Sequence, residues 1–177
     1  VLTGGGTGGH IYPCLAVAEV LSELNVQLYY IGHAKKLEAE LLTKDELKDA
    51  DGVPYANYIK FLAIETDPVV NKLNPLKLLN WLWKFYPAFH LSKNYLRENN
   101  IDIVFGTGGY VAAPIFAAAI ALKIPYIIHN LDAHIGLANL VFIRNAAALT
   151  TAFPNLPAKP KNGRVIVTGN PISAKFL

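Results

Sequence analysis

Apolar residues follow two rhythms along this chain. Short unbroken apolar runs read as strands covered on both faces, and longer stretches with apolar positions three and four apart read as helices. The chain opens on Leu2-Thr3, the end of a strand, followed by a loop, Gly4–Gly9. A helix is expected over Tyr12–Leu24, with Leu15, Ala16, Val20 and Leu24 as its apolar positions and Pro13 in its first turn, where a missing N–H costs little. Gln27–Ile31 reads as a buried strand closed by Gly32, Lys36–Leu42 as a helix and Tyr55–Leu62 as a strand. Pro75–Arg97 reads as a helical region interrupted near Pro87. Then come a strand at Ile101–Phe105, a second glycine loop at Gly106–Tyr110 and an alanine-rich helix over Ala112–Leu122. Pro125–His129 is a strand, followed by a polar loop and a helix to about Phe142; Ala147–Ala152 and Arg164–Thr168 are late strands. Alternating strands and helices imply right-handed crossovers, so the expected class is α/β: a Rossmann-like parallel sheet with helices on both faces.

Composition narrows this little. With 53% hydrophobic and 16% charged residues among 177, the chain is expected to fold around one sizeable core and not to be disordered. Its single cysteine, Cys14, excludes a disulfide framework and a cysteine-rich zinc site, and fits a reducing compartment. The net charge of +3 does not argue for a nucleic-acid partner. No apolar run reaches the roughly 20 residues of a spanning helix. The opening Val1-Leu2-Thr3, without methionine, reads as a strand entered midway.

The stretch TGGGTGGHIYP contains a literal GxGxxG at Gly4, Gly6 and Gly9. A glycine loop between strand and helix suits an anion, because backbone N–H groups approach it closely and the helix N-terminus adds partial positive charge. A dinucleotide site also needs an acid about 20 residues further on, at the end of the next strand. The strand here ends Tyr30-Ile31-Gly32-His33, and the nearest acid, Glu38, lies inside the next helix. That disfavours a nicotinamide or flavin site, and no Lys-Ser or Lys-Thr follows the glycines to make a nucleoside-triphosphate loop. Val104-Phe105-Gly106-Thr107-Gly108-Gly109-Tyr110 repeats the design. Two such loops on one sheet edge suit a diphosphate with groups on either side; the alternative is that the glycines only make tight turns.

Four segments, GGGTGGHIYPCLAVAEVL, FGTGGYVAAP, IPYIIHNLDAHIGLAN and VTGNP, resemble in family order the N-terminal half of the MurG family of bacterial glycosyltransferases. The resemblance implies a B-type glycosyltransferase fold. Residues 1–171 would be its acceptor- and membrane-side domain and 172–177 the start of an interdomain linker, with most of the UDP site in a C-terminal half outside this chain. The implied activity is transfer of N-acetylglucosamine, with inversion, from UDP-N-acetylglucosamine to undecaprenyl-diphosphate-N-acetylmuramoyl-pentapeptide. That reaction belongs to peptidoglycan synthesis at the cytoplasmic face of the bacterial cell membrane. The isolated chain is expected to be inactive. No cofactor is expected, and the resemblance implies no metal ligands in this chain, because the family's fold does not rely on an Asp-x-Asp pair.

Inverting transfer needs a base for the acceptor hydroxyl and stabilisation of the departing diphosphate. His10, directly after the first loop, has the side chain best suited to proton transfer near neutral pH, and the resemblance makes its position the usual candidate. Thr7, Gly8, Gly9, Tyr110 and Asn139 match the family as they stand, and Gly108 and Gly109 complete the second loop. The third segment departs. The family loop reads His-Glu-Gln-Asn or close to it; here it is His129-Asn130-Leu131-Asp132. Asp132 is therefore either a second candidate base or the mark of a relative with another donor or acceptor. GNP is followed by Ile172-Ser173 where the family has valine and arginine, which weakens the donor contact carried over to Ser173.

Asp67 to Glu98 encloses no acid but holds Lys72, Lys77, Lys84, Lys93 and Arg97 around Leu78, Trp81, Leu82, Trp83 and Phe85. Basic residues beside Trp, Leu and Phe on a helix suit an anionic membrane surface. Lys72, Lys77, Leu78, Trp81, Leu82, Lys84 and Phe85 are the expected membrane residues; the alternative is a helix packed on the sheet. A non-catalytic acceptor-binding subunit of a split or divergent glycolipid glycosyltransferase is the rival function.

Overall fold

The computed structural model describes residues 1–43, 47–68, 75–154 and 156–176, with side chains of the long third helix described from Leu79 onward. Seven strands form one sheet: β1 (Leu2–Gly4), β2 (Leu28–His33), β3 (Ile59–Ile64), β4 (Val104–Gly108), β5 (Tyr126–Asn130), β6 (Ala148–Thr151) and β7 (Arg164–Val167). Their order is β3-β2-β1-β4-β5-β6-β7 and every neighbouring pair is parallel. The helices are α1 (Gly8–Ser22), α2 (Leu37–Thr43), α3 (Pro75–Glu98), α4 (Ala112–Leu122) and α5 (Leu137–Phe142).

The expected class is therefore observed, with a core on each face of the sheet. One core gathers Ile11, Cys14, Leu15 and Ala18 of α1 with Leu2, Leu28 and Tyr30. The other gathers Ile115, Phe116, Ala118 and Ala119 of α4 with Leu96 of α3 and Ile128 and Leu149 of the sheet. Alanines on α4 leave no bulk between it and its neighbours, so helix and sheet approach closely.

The strand order reverses between β1 and β4. In open parallel sheets a ligand crevice forms at such a switch point, outside the carboxyl ends of the strands. Both glycine loops lie there, one after β1 and one at the end of β4.

Several boundaries differ from the sequence expectation. The strand expected over Tyr55–Leu62 is β3 at Ile59–Ile64, and Tyr55–Asn57 forms a 3-10 turn before it. Helix α1 begins at Gly8, not Tyr12, so Pro13 lies inside the helix and not in its first turn. Helix α3 runs unbroken through Pro87; the preceding turn exposes Trp83, where the missing N–H costs least. Strand β2 continues past Gly32 to His33, and β4 carries Gly106 to Gly108 as strand residues. Gly106 is needed there because a Cβ would collide with Phe116 of α4.

Candidate active site

The first loop displays backbone. Gly6 takes a φ of 89°, and a Cβ on it would stand 2.8 Å from the Tyr110 ring. Thr7 is the N-cap of α1 but makes no side-chain cap, and no acid lies in the first turn. His10 N–H donates to the Thr7 carbonyl at 3.1 Å, which leaves the Gly8 and Gly9 amides for a ligand, and the helix dipole favours an anionic one. Thr7 and Gly9 are exposed and Gly8 half-buried. Beneath the loop, Glu38 is fully buried; its Oε1 accepts the His33 N–H at 2.9 Å, and Gly5 has no room for a side chain beside it. The acid that the sequence places inside the next helix thus supports the loop from below and is not presented to a ribose.

The second loop is covered. Gly108 and Gly109 have φ of 97° and 77°. A Cβ on Gly109 would lie 2.5 Å from the Gly5 carbonyl oxygen, so the two loops meet backbone to backbone. Buried Asn139 packs on Gly108, and its Nδ2 donates to Asn130 Oδ1 at 3.4 Å. Asn130 Nδ2 in turn donates to the Asp132 carbonyl at 2.5 Å. Tyr110 titrates above the ordinary tyrosine range, first because of burial and then because of the Glu38 and Asp67 carboxylates, so its hydroxyl remains a neutral donor.

A cavity of about 420 Å³ opens beside the second loop; His10 borders it, while Gly4–Gly9 do not. Its polar wall includes His10, Thr107, Gly109, Tyr110, Asn130, Asp132 and Asn139. Its apolar wall comes from Trp81 and Phe85 of α3, Ala113 of α4, and Leu137, Val141 and Phe142 of α5. The two candidate bases, His10 and Asp132, thus share one cavity; Asp132 is exposed and His10 half-buried. Among the described residues no group of three or more His, Cys, Asp or Glu side chains converges to hold a metal.

Of the expected binding residues, Thr7, Gly8, Gly9 and Gly108 do not border this cavity, and His129 and Ser173 face elsewhere. His129 is buried, with Nδ1 on Thr150 Oγ1 at 2.8 Å and Nε2 facing Asn170 Oδ1 at 3.3 Å. Burial lowers its titration, with the Asn170 contact opposing. It ties the GNP turn to β5 and β6 and does not line the cavity. Ser173 donates to Glu19 Oε1 at 2.8 Å and lines a separate cavity of about 540 Å³ with Tyr12 and Tyr55. The tail beyond Pro171 is thus held on α1.

The expected membrane residues also divide. Trp81 is turned inward: its Nε1 donates to the Asp67 carbonyl at 3.0 Å, and its ring sits 4.8 Å from that of Phe85. Lys84 is paired with Asp67 at 2.6 Å. Leu82 is exposed. Lys72 lies outside the described residues, as do the side chains of Lys77 and Leu78. The most exposed aromatic of the region is Trp83, at 79%. Leu137, Leu140 and Val141 of α5 extend the exposed apolar surface. The apolar spacing of α5 alone reads as core, so this surface is not legible in the sequence. No described helix is long and apolar enough to cross a membrane.

A switch-point crevice with two glycine loops and a histidine on the helix that follows defines a class, and comparison with known proteins agrees. Residues 1–151 match the glycosyltransferase family 28 N-terminal domain, and the chain belongs to that family. Over its whole length it is 35% identical to the UDP-N-acetylglucosamine–N-acetylmuramyl-(pentapeptide) pyrophosphoryl-undecaprenol N-acetylglucosamine transferase of Bacillus pumilus, covering 46% of that protein. It is 34% identical to the enzyme of the same name from Listeria welshimeri, over 99% of this chain and 46% of the relative. The crystal structure of Acinetobacter baumannii MurG superposes with a TM-score of 0.72 and 30% identity, over 96% of this chain and 45% of that one. The chain spans about half the length of these relatives.

Proposed function

We propose that this chain is the acceptor-side half of a MurG-type N-acetylglucosaminyltransferase. The observation that carries the reading is the cavity in which His10, next to the first glycine loop, and Gly109 and Tyr110 of the second meet an apolar wall from α3 and α5. A lipid-linked sugar diphosphate is polar at one end and hydrocarbon at the other, and this cavity has the same polarity. The opening amides of α1 bind the acceptor's diphosphate, and the Tyr110 hydroxyl donates beside it. The prenyl chain leaves between Trp81, Phe85, Leu137 and Val141.

His10 takes the proton of the acceptor sugar hydroxyl as that oxygen bonds to the anomeric carbon of N-acetylglucosamine. The anomeric carbon–oxygen bond to UDP breaks on the opposite side, and its electron pair leaves with the diphosphate, so the centre inverts. Asp132 is the second candidate for the proton. The donor nucleotide is bound chiefly by the other half of such a fold, since the inward turn of Ser173 leaves little here to hold it. The exposed Leu82, Trp83, Leu140 and Val141 rest on the anionic cytoplasmic surface of the cell membrane, a peripheral attachment.

Titration of the chain with a short-chain polyprenyl-diphosphate sugar and, separately, with UDP-N-acetylglucosamine tests this. Saturable quenching of Trp81 by the first, weakened by His10→Ala, with little response to the second, is expected. Tight UDP-sugar binding with no response to the lipid would overturn the acceptor assignment.

A further inference from the structure

We propose that Thr107 is a positioning residue for His10, fixing both the direction of the imidazole and the nitrogen that carries its proton. The proposal deepens the reading above in one respect: it says which ring nitrogen meets the acceptor hydroxyl.

Two contacts run from this one residue. The Thr107 backbone carbonyl oxygen lies 3.1 Å from His10 Nδ1. A carbonyl only accepts, so in the neutral ring the proton belongs on Nδ1 and Nε2 is left with a lone pair. The Thr107 hydroxyl donates to the His10 carbonyl oxygen at 2.7 Å. Ring and backbone of His10 are therefore held by the backbone and side chain of the same residue. Among the described residues Nε2 has no protein partner, while the ring borders the cavity.

The surroundings fix Thr107 itself. It is fully buried at the end of β4. Its hydroxyl also lies 3.5 Å from Cys14 Sγ, and burial pushes that thiol up to about 11, so a neutral S–H remains beside it. Gly4 makes the reach possible, because a Cβ there would collide with the Thr107 hydroxyl. When Nε2 accepts a proton, the Nδ1–H stays on the Thr107 carbonyl, and the new positive charge is shared with a group already in place.

The test reads the imidazole directly and needs no catalysis. Long-range proton–nitrogen correlation spectra of the chain, recorded above the histidine titration, distinguish the tautomers; His10→Gln assigns the signal. The wild type is expected to hold His10 almost wholly as the Nδ1–H form. Thr107→Ser keeps the hydroxyl and should keep that form. Thr107→Val keeps the volume and the backbone carbonyl but removes the hydroxyl bond that holds the His10 backbone against that carbonyl, so the ring contact should loosen and the Nε2–H form rise at least fivefold. A wild-type His10 in the Nε2–H form overturns the proposal, as does a folded Thr107→Val chain with an unchanged spectrum. If Thr107→Val does not fold, the wild-type and Thr107→Ser spectra decide. Failure of the lipid titration would remove the acceptor reading and leave the tautomer result standing, so the two ideas fail separately.

Discussion

The two glycine loops look alike in sequence and do different work in the fold. The first, from Gly4 to Gly9, displays amides at the opening of α1, and its outer residues Thr7 and Gly9 are exposed. The second, from Gly106 to Gly109, belongs partly to β4 and is walled in by Phe116, Asn139 and the Gly5 carbonyl. One loop presents a surface; the other holds that surface and the histidine beside it in place. Glycine is required in the first for approach by a ligand and in the second for approach by the protein's own backbone.

Paired substitutions break this comparison most directly. Gly109→Ala forces a side chain into a left-handed position facing a fixed carbonyl, so it should cost about 3 kcal/mol or more of unfolding free energy. Gly9→Ala meets only Thr7 Oγ1 at 3.7 Å. It should leave stability unchanged or raise it by up to about 1 kcal/mol, while weakening lipid-diphosphate binding. Urea unfolding of both variants checks the pair, and equal costs would erase the distinction.

Asn139→Ala comes next. It removes the buried bond to Asn130 and should cost about 1–2 kcal/mol by the same measurement, with the cavity polar wall loosened. A neutral result would mean that Asn139 serves the ligand and not the loop.

The supporting side should also carry a pH dependence. His129 titrates lower in the folded chain than in the unfolded one, so the unfolded state takes up its proton first. The stability it contributes is complete above about 6.5, the unfolded value, and is lost as pH falls from there toward the folded value. Denaturation on both sides of that window should give a weaker fold on the acid side, and His129→Gln should flatten this difference. An unchanged slope would assign it elsewhere.

The smallest effect on stability belongs to the display side. Trp83→Phe should change unfolding by no more than about 0.5 kcal/mol yet abolish the fluorescence response to anionic vesicles. Trp81→Phe should instead abolish the response to the soluble acceptor analogue. A vesicle signal that survives Trp83→Phe would move the membrane face away from this part of α3.

Much of this was legible in the sequence because strand and helix periods differ and because parallel crossovers leave few topologies. Helix α4 falls where its alanine-rich pattern predicts. The start of α1 was not legible: glycine has poor helix propensity, so Gly8 and Gly9 read as loop although they form its first turn. His10 was legible as chemistry, as was its companion Asp132. Thr107 was not, because its bonds to His10 join positions 97 residues apart. One local signal existed: a threonine precedes the glycines at the end of β1, Thr3-Gly4, as it does in β4, Thr107-Gly108. The inward turns of His129 and Ser173 depend on tertiary partners: Asn170, which stands in the GNP motif but 41 residues from His129, and Glu19, which no motif identifies.

The backbone contact between Gly109 and the Gly5 carbonyl has a consequence for dynamics. Neither loop has room to swing away without disturbing the other, and Thr107 adds a second tie through His10. The two segments therefore open together, as one cooperative unit, although nearly a hundred residues of chain separate them. Their amides should fall in one class of hydrogen exchange, and a ligand that slows exchange in the first loop should slow it in the second by the same factor.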